Sequence, residues 1–459
     1  MKAIEIRQLA EVLRGRLAAA CGQELPAGCI TGVSTDSREV EAGDCFVAIR
    51  GPRFDGHAFV EQAVAAGARC VIADKEAACA APVLVVDDSI AALGDLARWY
   101  RGQVGARVIA ITGSAGKTTT RRIVCQALRR RYACHESPKS FNNNIGVPLT
   151  ILSTEAEDEF LVMELGSNAP GEIGYLTRIA RPDIAVVTNV YPAHLEGFGT
   201  LENIVREKAS IGEGLADGGT LLINGDCDAL RRYCDALGAA HTTFGRSAGC
   251  DVTGSDFVCH GARGSLRIEG RLIETPLAGQ ANLENVLAAW ALCRCAGLSL
   301  EDFAAAAATL EPAAMRLNIQ EVGPVTLIND CYNANPVSMA NAIDTLVRIA
   351  GGGGRRTVFV CGQMGELGAD SERYHVELGR RVAEAGIGVL AAAGPFAEVT
   401  AEAARQAANG GLECLAFGDT AALCDNLMDI VRGGDIILVK GSRSAGLERA
   451  VKVLMEAFS

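Results

Sequence analysis

The chain has few aromatic side chains, 5% of 459 residues, so small aliphatic groups must fill most of its interior. No stretch approaches the roughly 20 apolar residues that a membrane-crossing helix needs. The start, MKAIEIRQLAEVLRGRL, carries charges throughout and has no apolar signal core. Cysteine is plentiful, at seventeen, but the residues are scattered, odd in number and include no C-x-x-C pair, Cys293 and Cys295 being nearest each other. That argues against a zinc ribbon and against a dense disulfide scaffold. Reduced, mostly buried thiols in a cytoplasmic protein are expected. Net positive charge is also missing: the formal charge is −12. Nonspecific adhesion to nucleic acid or anionic membrane is therefore disfavoured, and neither partner is expected. A polyanionic ligand must be held by local cations, backbone N–H groups or metal. There is no short-period repeat and no low-complexity tract.

What is present reads as a soluble globular chain, 49% hydrophobic and 21% charged, long enough for about two to four domains. Residues 1–84 hold short alternating runs such as DCFVAI and RCVIAD and read as a small α/β domain. DDSIAALGDLARWYRGQ then reads as a helix opening a second region, 85–312. Here RVIAIT, FLVMELG, DIAVVTNV and GTLLING are β-branched runs suited to buried parallel strands, with helical patterns between several of them. That is the rhythm of a doubly wound sheet. The Gly-rich stretch 245–276 reads as an antiparallel appendage, followed by a helix, NLENVLAAWALCRCAG, stopped at Gly297. The rhythm restarts over 313–459 with VTLIND, RTVFVCGQM, VLAAAG and DIILVKGS, a second parallel sheet. The GGGG at 351–354 reads as a helix-ending turn. The expected fold class is α/β in three domains: a small N-terminal α/β domain, a central P-loop-type parallel sheet and a C-terminal Rossmann-like domain.

VIAITGSAGKTTTRR, residues 108–122, is strand, glycine loop and helix. Gly113 and Gly116 let backbone approach an anion. Lys117 adds a point charge, and Thr118 a hydroxyl suited to Mg²⁺. The usual P-loop spacing, G-x-x-x-x-G-K-[ST], would put another glycine where Ile111 stands. A chance loop stays open on this stretch alone.

ITGSAGKTTT, NNNIGVPLT, MELGSN, TNVYPAHLEGFG, REKAS, DCYNANPVSM and GQMGELG follow one another in this order. Together they resemble the Mur ligases, ATP-dependent amide-forming enzymes of peptidoglycan precursor synthesis, whose phosphate loop is typically T-G-x-x-G-K-T. YNANP, ELG and the early STDSREVEAGDCFVAIRGPRFDGHAF are most similar to those members that join D-alanyl-D-alanine to UDP-N-acetylmuramoyl-tripeptide.

The resemblance implies ATP and two Mg²⁺ as cofactors, those two molecules as partners, and a monomer. ATP phosphates belong to Gly113, Ser114, Ala115, Gly116, Lys117, Thr118 and Thr119. Glu164 could reach a Mg²⁺ held by Thr118 or be a strand-end charge in solvent. His194, alone a surface or capping residue, is implied as a contact to the second metal. Lys208 alone reads as an exposed helix lysine, since an ammonium has no lone pair for a metal; the resemblance implies a carbamate on it, with Ser210 where the family often has a carboxylate. Lys117, Glu164, His194 and Lys208 are thus the catalytic candidates. Asn282 and Asn285, otherwise helix-start residues, are implied at the nucleotide, with Arg316 and Asp330 at its phosphates and ribose. Ser34, Thr35, Asp36, Ser37 and Arg38, otherwise a polar turn, are implied at the uridine end. Asn142, Asn143 and Asn168 are placed toward the sugar-peptide, and Asn333, Asn335, Lys440, Ser442 and Arg443 toward the incoming dipeptide. Asn144, Ala281 and Gln363 depart from the family pattern and receive no role. Two other readings stay open: another Mur-type or folylpolyglutamate-synthase-like ligase, and a P-loop protein that binds nucleotide without ligation. Against the last, no N-K-x-D-type guanine-reading stretch follows the loop in the usual place.

Overall fold

The apolar runs become three larger sheets in three successive stretches of chain, beside a two-stranded pair of Ile4–Glu5 with Cys29–Ile30. The computed structural model describes residues 1–18, 28–52, 54–351, 354–408 and 410–459. In the first sheet Val83–Val85, Cys70–Ala73, Asp44–Val47 and Gly32–Ser34 lie parallel in that order, with Arg16–Ala18 antiparallel at the edge beside Val83–Val85.

The central sheet orders its parallel strands as Thr242–Gly245, Thr220–Asn224, Ile184–Val187, Arg107–Thr112, Phe160–Glu164 and Cys134–Glu136. Both faces are apolar because both are covered. Along Arg107–Thr112, Val108 and Ala110 enter one core and Ile109 and Ile111 the other, the period-two alternation of a strand buried on each side. The stretch expected as an antiparallel appendage instead extends this same sheet. Val252–His260 pairs parallel with Thr242–Gly245, and Arg263–Ile268 and Arg271–Thr275 follow antiparallel. Leu266, Ile268 and Ile273 share a core with the Gln280–Ala296 helix, so the segment has an apolar face to bury. That helix stops at Gly297, whose φ of 94° only glycine adopts readily.

The Ser89–Arg101 helix starts where Asp88 accepts N–H bonds from Ile90 and Ala91. Its Leu93, Leu96 and Tyr100 join Ile4, Ile6 and Leu9 in the core that also takes Leu161 of the central sheet. The Tyr100 hydroxyl accepts from the Lys2 amide at 2.8 Å and donates to the Thr154 carbonyl at 2.8 Å. One hydrophobic core therefore runs from the first sheet into the second.

The third sheet orders Val325–Asn329, Ile436–Lys440, Thr357–Gly362, Val389–Ala393 and Glu413–Phe417 in parallel, with Asn318–Val322 antiparallel at the edge. The Pro336–Ala350 helix ends at Gly351, φ 60°; Gly352 and Gly353 of the expected turn lie outside the described residues. Among the described residues no helix is long and apolar enough to cross a membrane.

In the central sheet the chain leaves Arg107–Thr112 toward Cys134–Glu136 on one side, whereas it leaves the neighbouring Ile184–Val187 toward Thr220–Asn224 on the other. This is a switch point, where open parallel sheets leave a crevice at their carboxyl ends. The carboxyl ends of Val325–Asn329 and Ile436–Lys440 supply the opposing wall.

Candidate active site

The loop after Arg107–Thr112 is shaped before any ligand arrives. Gly113 has φ 145° and Gly116 φ 82°. A side chain at Gly113 would collide with the Thr188 hydroxyl and lie 3.2 Å from the Asn189 backbone; one at Gly116 would meet the Asn285 amide. The neighbouring strand end then clamps the loop. Thr188 Oγ1 donates to the Ala115 carbonyl at 2.7 Å, the Asn189 side chain accepts the Ala115 N–H at 2.8 Å, and Ser114 Oγ donates to the Tyr191 carbonyl at 3.0 Å. Amides held this way need little reorganisation to meet an anion. Gly113→Ala is expected to cost roughly 1–3 kcal/mol in chemical denaturation, from a strained φ and a crowded Cβ, and to weaken ATP binding measured by calorimetry.

The Lys117–Leu128 helix begins at this loop. Lys117 Nζ donates to the Gly113 carbonyl at 2.7 Å. Burial pushes its pKa down to about 8; Glu164 opposes the shift and Arg316 adds to it. Thr118 Oγ1 donates to Glu164 Oε2 at 3.1 Å. Glu164 is 1% exposed, so it is no strand-end charge in solvent. Its partner is Arg121, with Nε 3.1 Å from Oε1, although that oxygen has no well-aligned hydrogen bond. Arg121 was absent from the expected site. It stands three residues after Thr118 on one helical face, which is the signal that sequence reading passed over.

A hydroxyl and a carboxylate side by side, one acceptor oxygen unspent, are donors suited to a hard divalent cation. Among the described residues no group of three or more His, Cys, Asp or Glu side chains could hold a metal alone. A cation placed beside Thr118 and Glu164 would need further donors from outside the protein's own carboxylates, imidazoles and thiols.

Lys208 departs furthest from its sequence reading. It is 2% exposed rather than an exposed helix lysine. Its ammonium donates to Ser167 Oγ at 2.7 Å and lies 5.6 Å from the Phe198 ring centroid. Burial, reinforced by the Lys117 charge, pushes its pKa down to about 7. The Leu201–Ala209 helix is anchored at both ends of this turn. Thr200 accepts the Asn203 N–H, and Glu207 accepts the N–H groups of Gly171 and Ile173 at 2.6 and 2.7 Å, capping the Glu172–Ala180 helix. Ser210 turns back to the Glu207 carbonyl at 2.7 Å, so the hydroxyl that meets Lys208 is that of Ser167.

On the opposing wall Asp330 accepts the Leu317 N–H at 3.0 Å and pairs with Lys440 Nζ at 2.6 Å. Lys440 also donates to the Asn333 carbonyl at 3.0 Å and is 2% exposed. The three residues expected at the dipeptide have different surroundings. Lys440 has internal partners, the Ser442 hydroxyl bonds that of Ser444 at 3.0 Å, and Arg443 stands apart, 60% exposed in its side chain. Asn335 caps the Pro336–Ala350 helix in a capping box with Ser338. Arg316 stacks on Tyr332 at 4.2 Å, and the Tyr332 hydroxyl donates to Ser140 Oγ at 2.6 Å, tying the two walls. His194, φ 54°, pairs with Glu366 across the same gap, which holds the Glu366 carboxyl below its usual range.

These groups surround a cleft of about 510 Å³. The expected nucleotide, metal and peptide residues line it except Gly113, Lys208, Ser442 and the Ser34–Arg38 motif. Gly113 is buried at the start of the loop, and Lys208 reaches the lining through Ser167. Asn282 and Asn285 line it while bonding each other at 3.4 Å; Asn142 and Asn143 line it with Asn168, and Asn143 also accepts the Gly146 N–H at 2.9 Å. Ser34 to Arg38 form an internally bonded turn on the first sheet. Ser34 Oγ donates to the Asp36 carbonyl, and Arg38 forks onto Asp36 at 2.9 and 2.6 Å, holding that carboxyl down at about 2. Asn144 and Ala281 line the cleft, whereas Gln363 bonds Ser444 away from it.

Three family models match successive stretches: "Mur ligase family, catalytic domain" over 29–101, "Mur ligase middle domain" over 111–293 and "Mur ligase, glutamate ligase domain" over 315–443. The UDP-N-acetylmuramoyl-tripeptide–D-alanyl-D-alanine ligase of Escherichia coli (strain K12) is 34% identical over 465 residues, covering 99% of each chain. The chain belongs to the Mur ligase family. A crystal structure of MurF from Acinetobacter baumannii superposes with a TM-score of 0.90 at 32% identity over 99% of both chains. MurF ligase from Thermotoga maritima, crystallised in complex with ADP, gives 0.81 at 30% identity over 93% of this chain and 97% of the other. Full-length likeness of this kind bears out the three-domain α/β architecture expected of a Mur ligase.

Proposed function

We propose that this chain joins the amino group of D-alanyl-D-alanine to the terminal carboxyl of UDP-N-acetylmuramoyl-tripeptide, with ATP cleaved to ADP and phosphate. The product is the UDP-muramoyl-pentapeptide precursor of peptidoglycan, so the enzyme serves cell-wall biogenesis and, through it, cell shape and division. One observation carries the reading: a braced phosphate loop faces a second cationic wall in a single cleft, in a chain similar end to end to ligases with that reaction in their names.

A peptide carboxylate is a poor electrophile. Transfer of the γ-phosphoryl group to it forms an acyl phosphate, with ADP leaving. The dipeptide amine then attacks the carbonyl, a C–N bond forms, the C–O bond to phosphate breaks and the amine loses a proton. Because carboxylate and triphosphate are both anions, positioning and charge neutralisation dominate. The loop amides from Gly113 to Thr119 and the Lys117 ammonium hold phosphate oxygens. Arg316 meets the phosphates from the opposing wall. Asp330 retains lone pairs for the ribose hydroxyls, and Asn282 and Asn285 address the base.

On this reading Thr118 and Glu164 would hold one Mg²⁺ and His194 and Lys208 a second, which would supply charge neutralisation for the transferred phosphoryl group. Lys208 qualifies through carbamylation. Near pH 7 much of its amine is neutral and able to add to CO₂, forming an N–C bond and losing a proton to give a carboxylate-like anion. Residues 1–84 hold the uridine end, Ser34, Thr35, Asp36, Ser37 and Arg38 included. Residues 85–312 hold ATP, with Asn142, Asn143 and Asn168 toward the sugar-peptide. Residues 313–459 hold part of the ATP and receive the dipeptide, with Asn333, Asn335 and Arg443 nearest to it. The enzyme works in the cytoplasm as a monomer.

The test is a mass-resolved assay with tripeptide labelled with oxygen-18 at its terminal carboxylate. Label appearing in inorganic phosphate, with ADP formed only when both substrates are present, is the expected result. Equal ATP hydrolysis without the dipeptide, or no label in phosphate, rejects it.

A further inference from the structure

A second cavity, of about 610 Å³, opens beside the main cleft and shares Thr118, Ser140, Arg316, Tyr332 and Arg443 with it. Its lining is strongly one-sided in charge. Arg121, Arg122, Lys139, Arg316 and Arg443 face a single carboxylate, Glu136. Arg121 and Arg443 have carboxylate neighbours, whereas Arg122, Lys139 and Arg316 form no salt bridge among the described residues. Two lining groups are buried with donors short of a hydrogen bond: Ser137, 1% exposed, whose hydroxyl has no partner, and Arg121, 4% exposed, whose Nη1 has only Glu136 Oε2 at 3.6 Å. Gathering cations and leaving donors empty costs free energy that an anion would recover. In a chain of net charge −12 the concentration is local and not a general property of the surface.

We propose that this cavity is an oxyanion subsite of the ligation reaction. It takes either the terminal carboxylate of the incoming dipeptide or the inorganic phosphate released from the acyl phosphate. The shared wall supports this, because Thr118 and Arg316 bring the cavity's inner end to the point where phosphoryl transfer occurs on the ligase reading, on which the proposal rests. The Tyr332–Ser140 bond marks the boundary between the two chambers. Arg122 and Lys139 line this cavity but not the main cleft, form no salt bridge among the described residues, and attract a small anion by charge.

The experiment is steady-state kinetics of the full chain carrying Arg122→Ser and Lys139→Ser, beside Arg122→Lys with Lys139→Arg. A roughly tenfold higher KM for D-alanyl-D-alanine, with phosphate inhibition unchanged, identifies the carboxylate as the ligand. Roughly tenfold weaker product inhibition by inorganic phosphate, with the dipeptide KM unchanged, identifies phosphate. In either case the charge-conserving pair restores native behaviour and the KM for ATP stays within about twofold. Both constants at native values in an active serine variant overturn the subsite. Should the double variant not fold, Lys139→Ser alone is read the same way, at about threefold. If the native chain makes no amide, the ligase reading has failed. The subsite is then read by calorimetry with inorganic phosphate, where loss of binding in the serine variant supports it and equal binding overturns it.

Discussion

Lys208→Met is expected to lower kcat by about a thousandfold or more in the ligation assay while leaving the fold as stable as the native one, or more so. The two effects have one cause. Lys208 is buried against Ser167 and Phe198, close enough to Lys117 for their charges to repel, with no carboxylate bonded to it. Such a placement costs stability in the protonated form. Methionine fills similar space without that cost. It also cannot accept CO₂, so the oxygen donors assigned to this position are lost. A pH series supplies an independent check. The folded-state pKa is depressed from the ordinary 10.5 to about 7, so between those values the unfolded chain binds a proton that the folded chain does not. Lys208 therefore contributes stability that rises with pH across that window, by up to about 1.4 kcal/mol per pH unit. Denaturation with CO₂ excluded should show a shallower rise between pH 7 and 9 in Lys208→Met. Full turnover in the variant would reject the catalytic assignment; an unchanged slope would reject the buried neutral amine.

Glu164→Ala is expected to lose both activity and stability. Its carboxylate accepts from Thr118 and neutralises Arg121, and both members of the ion pair are almost wholly buried. Removing it leaves a guanidinium in the core with only Glu136, 3.6 Å from Nη1 and poorly aligned, as compensation. Breaking a buried pair by deleting one partner typically costs about 3–5 kcal/mol. Removing a metal-ligating carboxylate at a phosphoryl-transfer centre costs about a hundredfold or more in kcat. Glu164→Ala combined with Arg121→Met separates the roles. Stability should return, because no unpaired charge remains, while activity stays low. Recovery of both would mean that Glu164 acts only as the counter-ion of Arg121.

The main elements were legible in local sequence. β-branched runs marked both parallel sheets, and TGSAGKTT marked a glycine loop between a strand and a helix, because glycine at positive φ and a helix N-terminus are properties of adjacent residues. Gly297 and Gly351 announced helix ends for the same reason. The antiparallel segment was legible as strands but not as part of the central sheet, since pairing between Val252–His260 and Thr242–Gly245 is a tertiary event. Lys208 defeated local reading altogether. Its helix carries Glu202, Arg206, Glu207 and Lys208 in one short span, which looks solvated until Glu207 is found capping another helix. Lys440, Ser442 and Arg443 read alike as a polar cluster within a four-residue span at a strand end, and only the fold showed Lys440 turned onto Asp330.

By itself, then, the sequence determined the class of fold, the glycine loop between strand and helix and, through motifs spread from residue 34 to residue 368, the family. The tertiary structure alone decided which charges are buried and with whom: Glu164 with Arg121, Lys208 against Ser167, Asp330 with Lys440, His194 with Glu366. The division has a physical origin. Backbone conformation answers to neighbours within a few residues, whereas the electrostatic state of a side chain depends on the solvent it loses and the partners it gains. Those partners come from strands and helices tens to hundreds of residues away.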